Sequence, residues 1–219
     1  MKIEKVIYVL MTINYVLFSC EADDVVSGSG NLITETRTVS AFNKVSSRGV
    51  FDINITQGNF QSVEIIADDN IIDYVTTKVV NNELQLYLDD SHNYSYLNLK
   101  ANILVEHLNA IKNEGIGKIN IINVNESGSF SVYNSGTGDI TLSGTADNLI
   151  LENEGTGIFK GFQFMVINCN VDIIGSGDCE INALNSLDVV IEGSGDVYYR
   201  GTPSIQSNIS GSGMVINAN

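Results

Sequence analysis

Tryptophan is absent, proline occurs once, and 219 residues hold only three cysteines and two histidines. Bases are scarce as well: 11 Lys and Arg face 26 Asp and Glu, for a formal charge of −15. So acidic a surface repels phosphate backbones, which argues against nucleic acid as a partner. Neither His92 nor His107 lies near Cys169 or Cys179 in the chain, and no Cys-x-x-Cys occurs, so a zinc site lacks its usual ligand pattern. No Ser or Cys motif marks His107 as a catalytic base, and no nucleophile elbow, P-loop or dinucleotide fingerprint is present. The chain therefore reads as non-enzymatic, with no cofactor implied.

Long apolar runs are missing too. The run from Val6 to Phe18 would rise only about 20 Å as a helix, short of a bilayer core of roughly 30 Å. With Lys2 and Lys5 before it, it reads as the h-region of a signal peptide over residues 1–19. Leu17-Phe18-Ser19-Cys20 resembles the lipobox of bacterial lipoproteins, which implies cleavage before Cys20 and a lipid on its thiol. Glu21-Ala22-Asp23-Asp24 resembles the acidic tags that direct lipoproteins to the outer leaflet of the outer membrane; the alternative is anchoring on the periplasmic face. Residues 20–30 end in Ser27-Gly28-Ser29-Gly30, a flexible tether composition. The expected address is a lipid-anchored position at the cell surface, with the membrane as a partner.

What is abundant is strand-forming text and glycine. Val50-Phe51-Asp52-Ile53-Asn54-Ile55-Thr56 alternates apolar and polar, with Gln57-Gly58-Asn59 as its turn and Val63-Glu64-Ile65-Ile66 as the next strand. Asp68-Asp69-Asn70 before Ile71-Ile72-Asp73-Tyr74-Val75 predicts an Asx-capped helical turn or two. Lys78-Val79-Val80 and Leu84 to Leu88 flank Asn81-Asn82 as a hairpin. Ser91 to Tyr96 reads as a polar loop, and its His92, Tyr94 and Tyr96 are the candidate binding residues, because Tyr among short polar residues gives adaptable contacts.

From residue 106 a Gly-x-Gly signature recurs. Its first glycines are Gly115, Gly136, Gly155, Gly175, Gly193 and Gly211, at intervals of 18 to 21 residues. A period of that length marks stacked repeats. Four residues before each first Gly stand Ile111, Val132, Leu151, Val171, Val189 and Ser207; four after stand Ile119, Ile140, Phe159, Cys179, Val197 and Val215. Six before stand Asn109, Phe130, Leu149, Cys169, Leu187 and Ile205. These near-apolar columns predict inward rows stacked coil upon coil, with the glycines giving positive-φ corners. Gly144, Ala183 and Gly201 recur as a second, crowded corner. The expectation is an all-β chain: one right-handed β-helix or β-solenoid over residues 31–219, with a β-rich half to 105 and repeats from 106. A β-sandwich is the alternative architecture.

Three columns could carry chemistry. Asp139, Asp178 and Asp196 follow Gly pairs, but Lys118, Ile158 and Met214 hold the same column elsewhere, so a Ca²⁺ ladder lacks half its oxygens and turn roles are expected. Asn113, Asn134 and Asn153, replaced later by Ile173, Ile191 and Ile209, fit an amide ladder. Cys169 and Cys179 fall in inward columns as small buried thiols, and could pair only with Cα atoms within about 7 Å.

Residues from about Phe42 to Asn219 resemble the "putative auto-transporter adhesin, head GIN domain" family. The features are Phe42-Asn-Lys-Val45, Gly49-Val-Phe-Asp-Ile-Asn-Ile-Thr-Gln-Gly58, Asp68-Asp-Asn-Ile-Ile72, Asn82-Glu-Leu-Gln-Leu86 and the Gly-Ser-Gly-Asp turns. The resemblance implies a β-helical envelope protein with an adhesive role, binding a glycan or a host or matrix protein, and it carries no catalytic residue. Two rivals are an envelope scaffold that polymerises end to end and a polysaccharide-binding or polysaccharide-active β-helix.

Overall fold

The computed structural model describes residues 25–219. It is all-β, 62% strand and 2% helix, and is built as a β-solenoid of about five turns. The repeat region forms four long strands, β11 (Ile119–Asn134), β12 (Ile140–Asn153), β13 (Phe159–Ile173) and β14 (Cys179–Ile191), stacked in parallel. Each bends at corners where the ladder slips, as between Ile121 and Val124 and between Glu126 and Ser129 of β11. A coil is thus three short runs, and the Gly-x-Gly corner joins the third run to the first run of the next coil.

The inward columns are where the period puts them. Val45, Ile111, Val132, Leu151, Val171, Val189 and Ser207 are successive register partners. All but Ser207 are at most 2% exposed. A single-residue slip would turn every such row outward, so burial fixes the register.

The stack begins earlier than the repeat. β3 (Lys44–Ser47) and β4 (Asp52–Gln57) form a first coil beneath β10 (Ala110–Asn113) and β11, with Gly49-Val50-Phe51 as its corner. Below it, β7 (Glu83–Leu88) continues in parallel under β3, and β9 (Lys100–Val105) under β4. Pairing then turns antiparallel and closes the end. β6 (Val75–Val80) folds on β7 through Asn81 and Asn82, both left-handed (φ 53° and 62°), the conformation of a two-residue hairpin turn. On the other side β5 (Ser62–Asp68) pairs with β9, and β2 (Leu32–Thr36) with β5.

Three local expectations change. Residues 25–30 are docked, not free: β1 (Val25–Ser27) pairs with β8 (Asn93–Ser95), and Asp68 accepts the Gly30 N–H at 2.7 Å. Half of the loop expected over 91–96, Asn93–Ser95, is therefore strand, recruited by β1. The helix is a single 3₁₀ turn, Ile72–Tyr74, without a side-chain cap. Asp68 is drawn away from capping by the Gly30 and Asn98 N–H groups, which its carboxylate serves instead.

The Gly-x-Gly glycines are also not what positive φ requires. Left-handed glycines are Gly30, Gly49, Gly128, Gly144 and Gly201, and none belongs to the six Gly-x-Gly pairs of the repeat. Their reason is space. A Cβ on Gly136 would fall on the carbonyl oxygen of Gly115, one on Gly155 on that of Gly136, and one on Gly175 on that of Gly155. The second corner, at Gly144 and Gly201, is where the backbone is left-handed.

Inside the first corner runs the amide ladder. Asn113 donates to Asn134 and Asn134 to Asn153, each at 3.0 Å, with all three at most 1% exposed. Asn153 ends the ladder by donating to the Gly157 and Gly177 carbonyls. Gly155→Ala should lower stability by about 1–3 kcal/mol through overpacking. Asn134→Ala should lower it by about 2–4 kcal/mol, because it leaves both neighbouring amides short of a partner in the interior. Exposed Thr137→Ala should stay within about 0.5 kcal/mol. Urea midpoints for the three variants check the ranking.

Candidate functional site

β7 and β9 lie under β3 and β4, so the chain between them stands where a corner would be. It is expanded there into the segment that carries β8 and the Tyr-bearing loop. Asp89 organises it, accepting from the Ser91 N–H at 3.1 Å, the Ser91 hydroxyl, and the Tyr94 hydroxyl at 2.7 Å. The Ser91 and Tyr94 bonds hold the Asp89 carboxyl below its ordinary range. The Ser91 hydroxyl also meets His92 Nδ1 at 2.6 Å. The His92 ring stands edge-on to Tyr74, with centroids 5.0 Å apart, and Tyr94 is 5.7 Å from the same Tyr74.

Two of the three sequence candidates are therefore brought together, with Tyr74 as an unforeseen third member. Tyr96 is not. It is 88% exposed and left-handed at φ 50°, outside the ring contacts that join Tyr74, His92 and Tyr94. Burial, and then the hydrogen bond to Asp89, push the Tyr94 phenol up to about 12.

Sequence reasoning missed a neighbouring groove. Lys78, Gln85, Ser46, Lys112 and Tyr133 form one outward row across five strands. Arg48 lies 4.8 Å and Lys78 5.3 Å from the Tyr87 ring centroid, and Lys112 lies 5.4 Å from that of Tyr133. Arg48 also reaches Asp90 at 3.3 Å, and Lys112 reaches Glu114 at 2.9 Å. The groove encloses about 360 Å³. Its residues are far apart in the chain, so only the register reveals them. Further along the row come Glu152 and Asp172; burial, then Glu154 and Asp172, raise the Glu152 carboxyl.

The Asp column has a structural task. Asp139 accepts the Ile158 N–H at 3.0 Å, Asp178 that of Asp196 at 2.8 Å, and Asp196 that of Met214 at 2.8 Å. Asp52 does the same for Lys118 in the first coil, at 2.9 Å. Each carboxylate thus caps the coil above. Burial pushes the Asp139 carboxyl up, but Lys160 at 2.7 Å and the Ile158 N–H outweigh it, so it sits below the ordinary range. Among the described residues no group of three or more His, Cys, Asp or Glu could hold a metal ion.

Cys169 and Cys179 are unbonded and buried. Burial pushes both thiols up, Cys179 to about 12. His107 is exposed, 3.5 Å from Glu126, beside a pocket of about 380 Å³ with Phe42 and Gln61.

Tyr94 has its pKa raised on folding, so its contribution to stability is complete below about pH 10 and fades as pH rises toward 12. Absorbance titration at 295 nm should show a phenolate step near pH 12 that Tyr94→Phe removes. Cys169 and Cys179 should resist Ellman's reagent in the folded protein and react fully in denaturant, because thiolate formation is suppressed by burial.

No functionally curated protein matches the chain. Among solved structures it is similar to one named "putative adhesin" from Bacteroides fragilis: 26% identity and TM-score 0.74, over 88% of this chain and 99% of that one. A structure named "putative lipid binding protein" from Parabacteroides distasonis shares the fold at 22% identity and TM-score 0.52, over 90% of this chain and 100% of that one. The profile described as "Putative auto-transporter adhesin, head GIN domain" matches residues 41–203, and the chain belongs to that family.

Proposed function

We propose that the protein is a non-enzymatic adhesin of the bacterial envelope, lipid-anchored through Cys20 and presenting its coils away from the membrane. Cys20, the signal segment 1–19 and the acidic residues 21–24 lie outside the described residues, so the anchor rests on the sequence. The observation that carries the reading is the pairing of β1 with β8. It brings the chain leading back to Cys20 onto the capped end of the solenoid, beside loop 89–96. A lipid on Cys20 would hold that end near the bilayer, with residues 21–24 between.

In this orientation the adhesive surface is the outer faces of the coils, reached from solvent along their whole length. They carry outward amide pairs rather than an enclosed cleft, as in Asn102 and exposed Asn54 at 3.3 Å and half-buried Asn148 and Asn168 at 3.0 Å. Open faces that carry such amides suit a glycan or an extracellular protein, whose groups can hydrogen-bond along the ladder. His92 and Tyr94 are engaged in packing, which leaves Tyr96 as the loop residue free to touch a ligand. Membership in an adhesin-like family supports an envelope location.

Fatty-acid labelling of the protein in its native cells should be lost in Cys20→Ser. Protease added to intact cells should remove the wild-type protein; complete protection would sink surface display. A screen against glycans and matrix proteins should find a ligand whose binding weakens when coil-face amides such as Asn54 and Asn102 are changed to Ala. Reducing-sugar release from a bound polysaccharide would instead point to an enzyme.

A further inference from the structure

The two ends of the β-stack are finished differently. At the capped end the outermost strands carry charge, Lys78 on β6 and Glu35 on β2, and charged residues on an edge discourage pairing with another chain. At the other end β16 (Ser204–Ile209) pairs only with β14, while β17 (Val215–Asn217) pairs only with β15 (Val197–Arg200). Their outer backbone edges meet no strand among the described residues. All six residues of β16 are exposed. Ile205 and Ile209 stand over Leu187 and Ile191, both 0% exposed, yet are themselves 38% and 43% exposed, and Met214 is 56% exposed. Among the described residues nothing pairs over the core here. Only the second corner is covered, where the Asn219 amide pairs with both the N–H and the carbonyl of Gly201 at 2.9 Å.

The charge pattern says what fits this face. All 26 acids and 11 bases lie before residue 201, and Gly201 to Asn219 hold none. Two molecules of charge −15 repel over most of their surfaces, and the last coil is where they can touch without bringing carboxylates together. An edge strand is also self-complementary under a two-fold rotation, which makes the pairing antiparallel. With Ser207 opposite Ser207 of the copy, each Ile205 faces an Ile209, and the two open cores join.

We propose that the last coil is a docking face for a second copy of this chain, the two meeting tail to tail through β16. Because the capped end differs from this one, the contact is isologous and closes at two copies; a filament would need a second, complementary end. The end-to-end polymer is thus replaced by a dimer, whatever the anchor or ligand.

Sedimentation equilibrium of the purified protein over a concentration series tests this. The expected result is a monomer–dimer equilibrium that strengthens with added salt as net repulsion is screened. Ile205→Lys with Ile209→Lys should weaken it by at least ~100-fold, since like charges then meet across the axis, with circular dichroism unchanged. Ser207→Cys should give a reducible dimer under mild oxidation, and Asn120→Cys, on the outer face of a middle coil, should not. A monomer at all concentrations, species larger than dimers, or a dimer indifferent to the two lysines would overturn the proposal. If the lysine variant fails to fold, the Ser207→Cys cross-link decides: its absence in the folded protein overturns the proposal.

Discussion

At every Gly-x-Gly corner the carbonyl oxygen of one coil fills the space that a Cβ on the coil above would need. This close approach sets the rest of the structure. It lets backbone N–H groups of the corner reach the coil below, as when Thr137 and Gly138 both donate to Gly115 O at 3.0 and 3.3 Å. It also pulls the column beside the corner so near the axis that a polar side chain there must find its partner in the next coil. Asn113, Asn134 and Asn153 do so through their amides. Ile173 and Ile191 fill the same column by packing once the ladder has ended at Asn153. Asp139, Asp178 and Asp196 serve the same geometry from outside, each tying its corner to the one above.

Much of this was legible in the chain because a parallel stack superimposes residues one period apart. Aligning on glycine therefore aligned the core, and Val132 over Ile111 could be read before any coordinates. The reason for the glycines could not. A requirement for left-handed φ and a requirement for no side chain select the same residue, and only the position of the neighbouring carbonyl separates them. The first corner was hidden for a related cause. Beneath Gly49-Val50-Phe51 the chain departs into the 89–96 loop instead of closing a tight corner, and the second position there is Phe51, fully buried, in place of glycine. Without that glycine the signature vanishes, although the coil is present.

The candidate site was half legible. Composition marked the stretch around His92 and Tyr94, but Tyr74 reaches it from the 3₁₀ turn, and the tether becomes β1 by pairing with it. Neither follows from local pattern, because both depend on strand partners distant in sequence. The groove of mixed charge beside it is the stronger case. Lys78, Tyr87 and Lys112 each sit in an ordinary strand and Arg48 directly follows β3, and their proximity exists only across the ladder.

The repeat corner also bears on how such chains change length. Each coil is positioned by the one beneath it, through Gly-to-carbonyl contact and backbone pairing, and touches little beyond its two neighbours. A duplication or loss of about 20 residues between equivalent corners would therefore move the terminal coil by one rung, about 4.8 Å, while leaving the capped end and the last coil chemically unchanged. Reach becomes a quantity that evolution can adjust in whole coils, independently of what either end does.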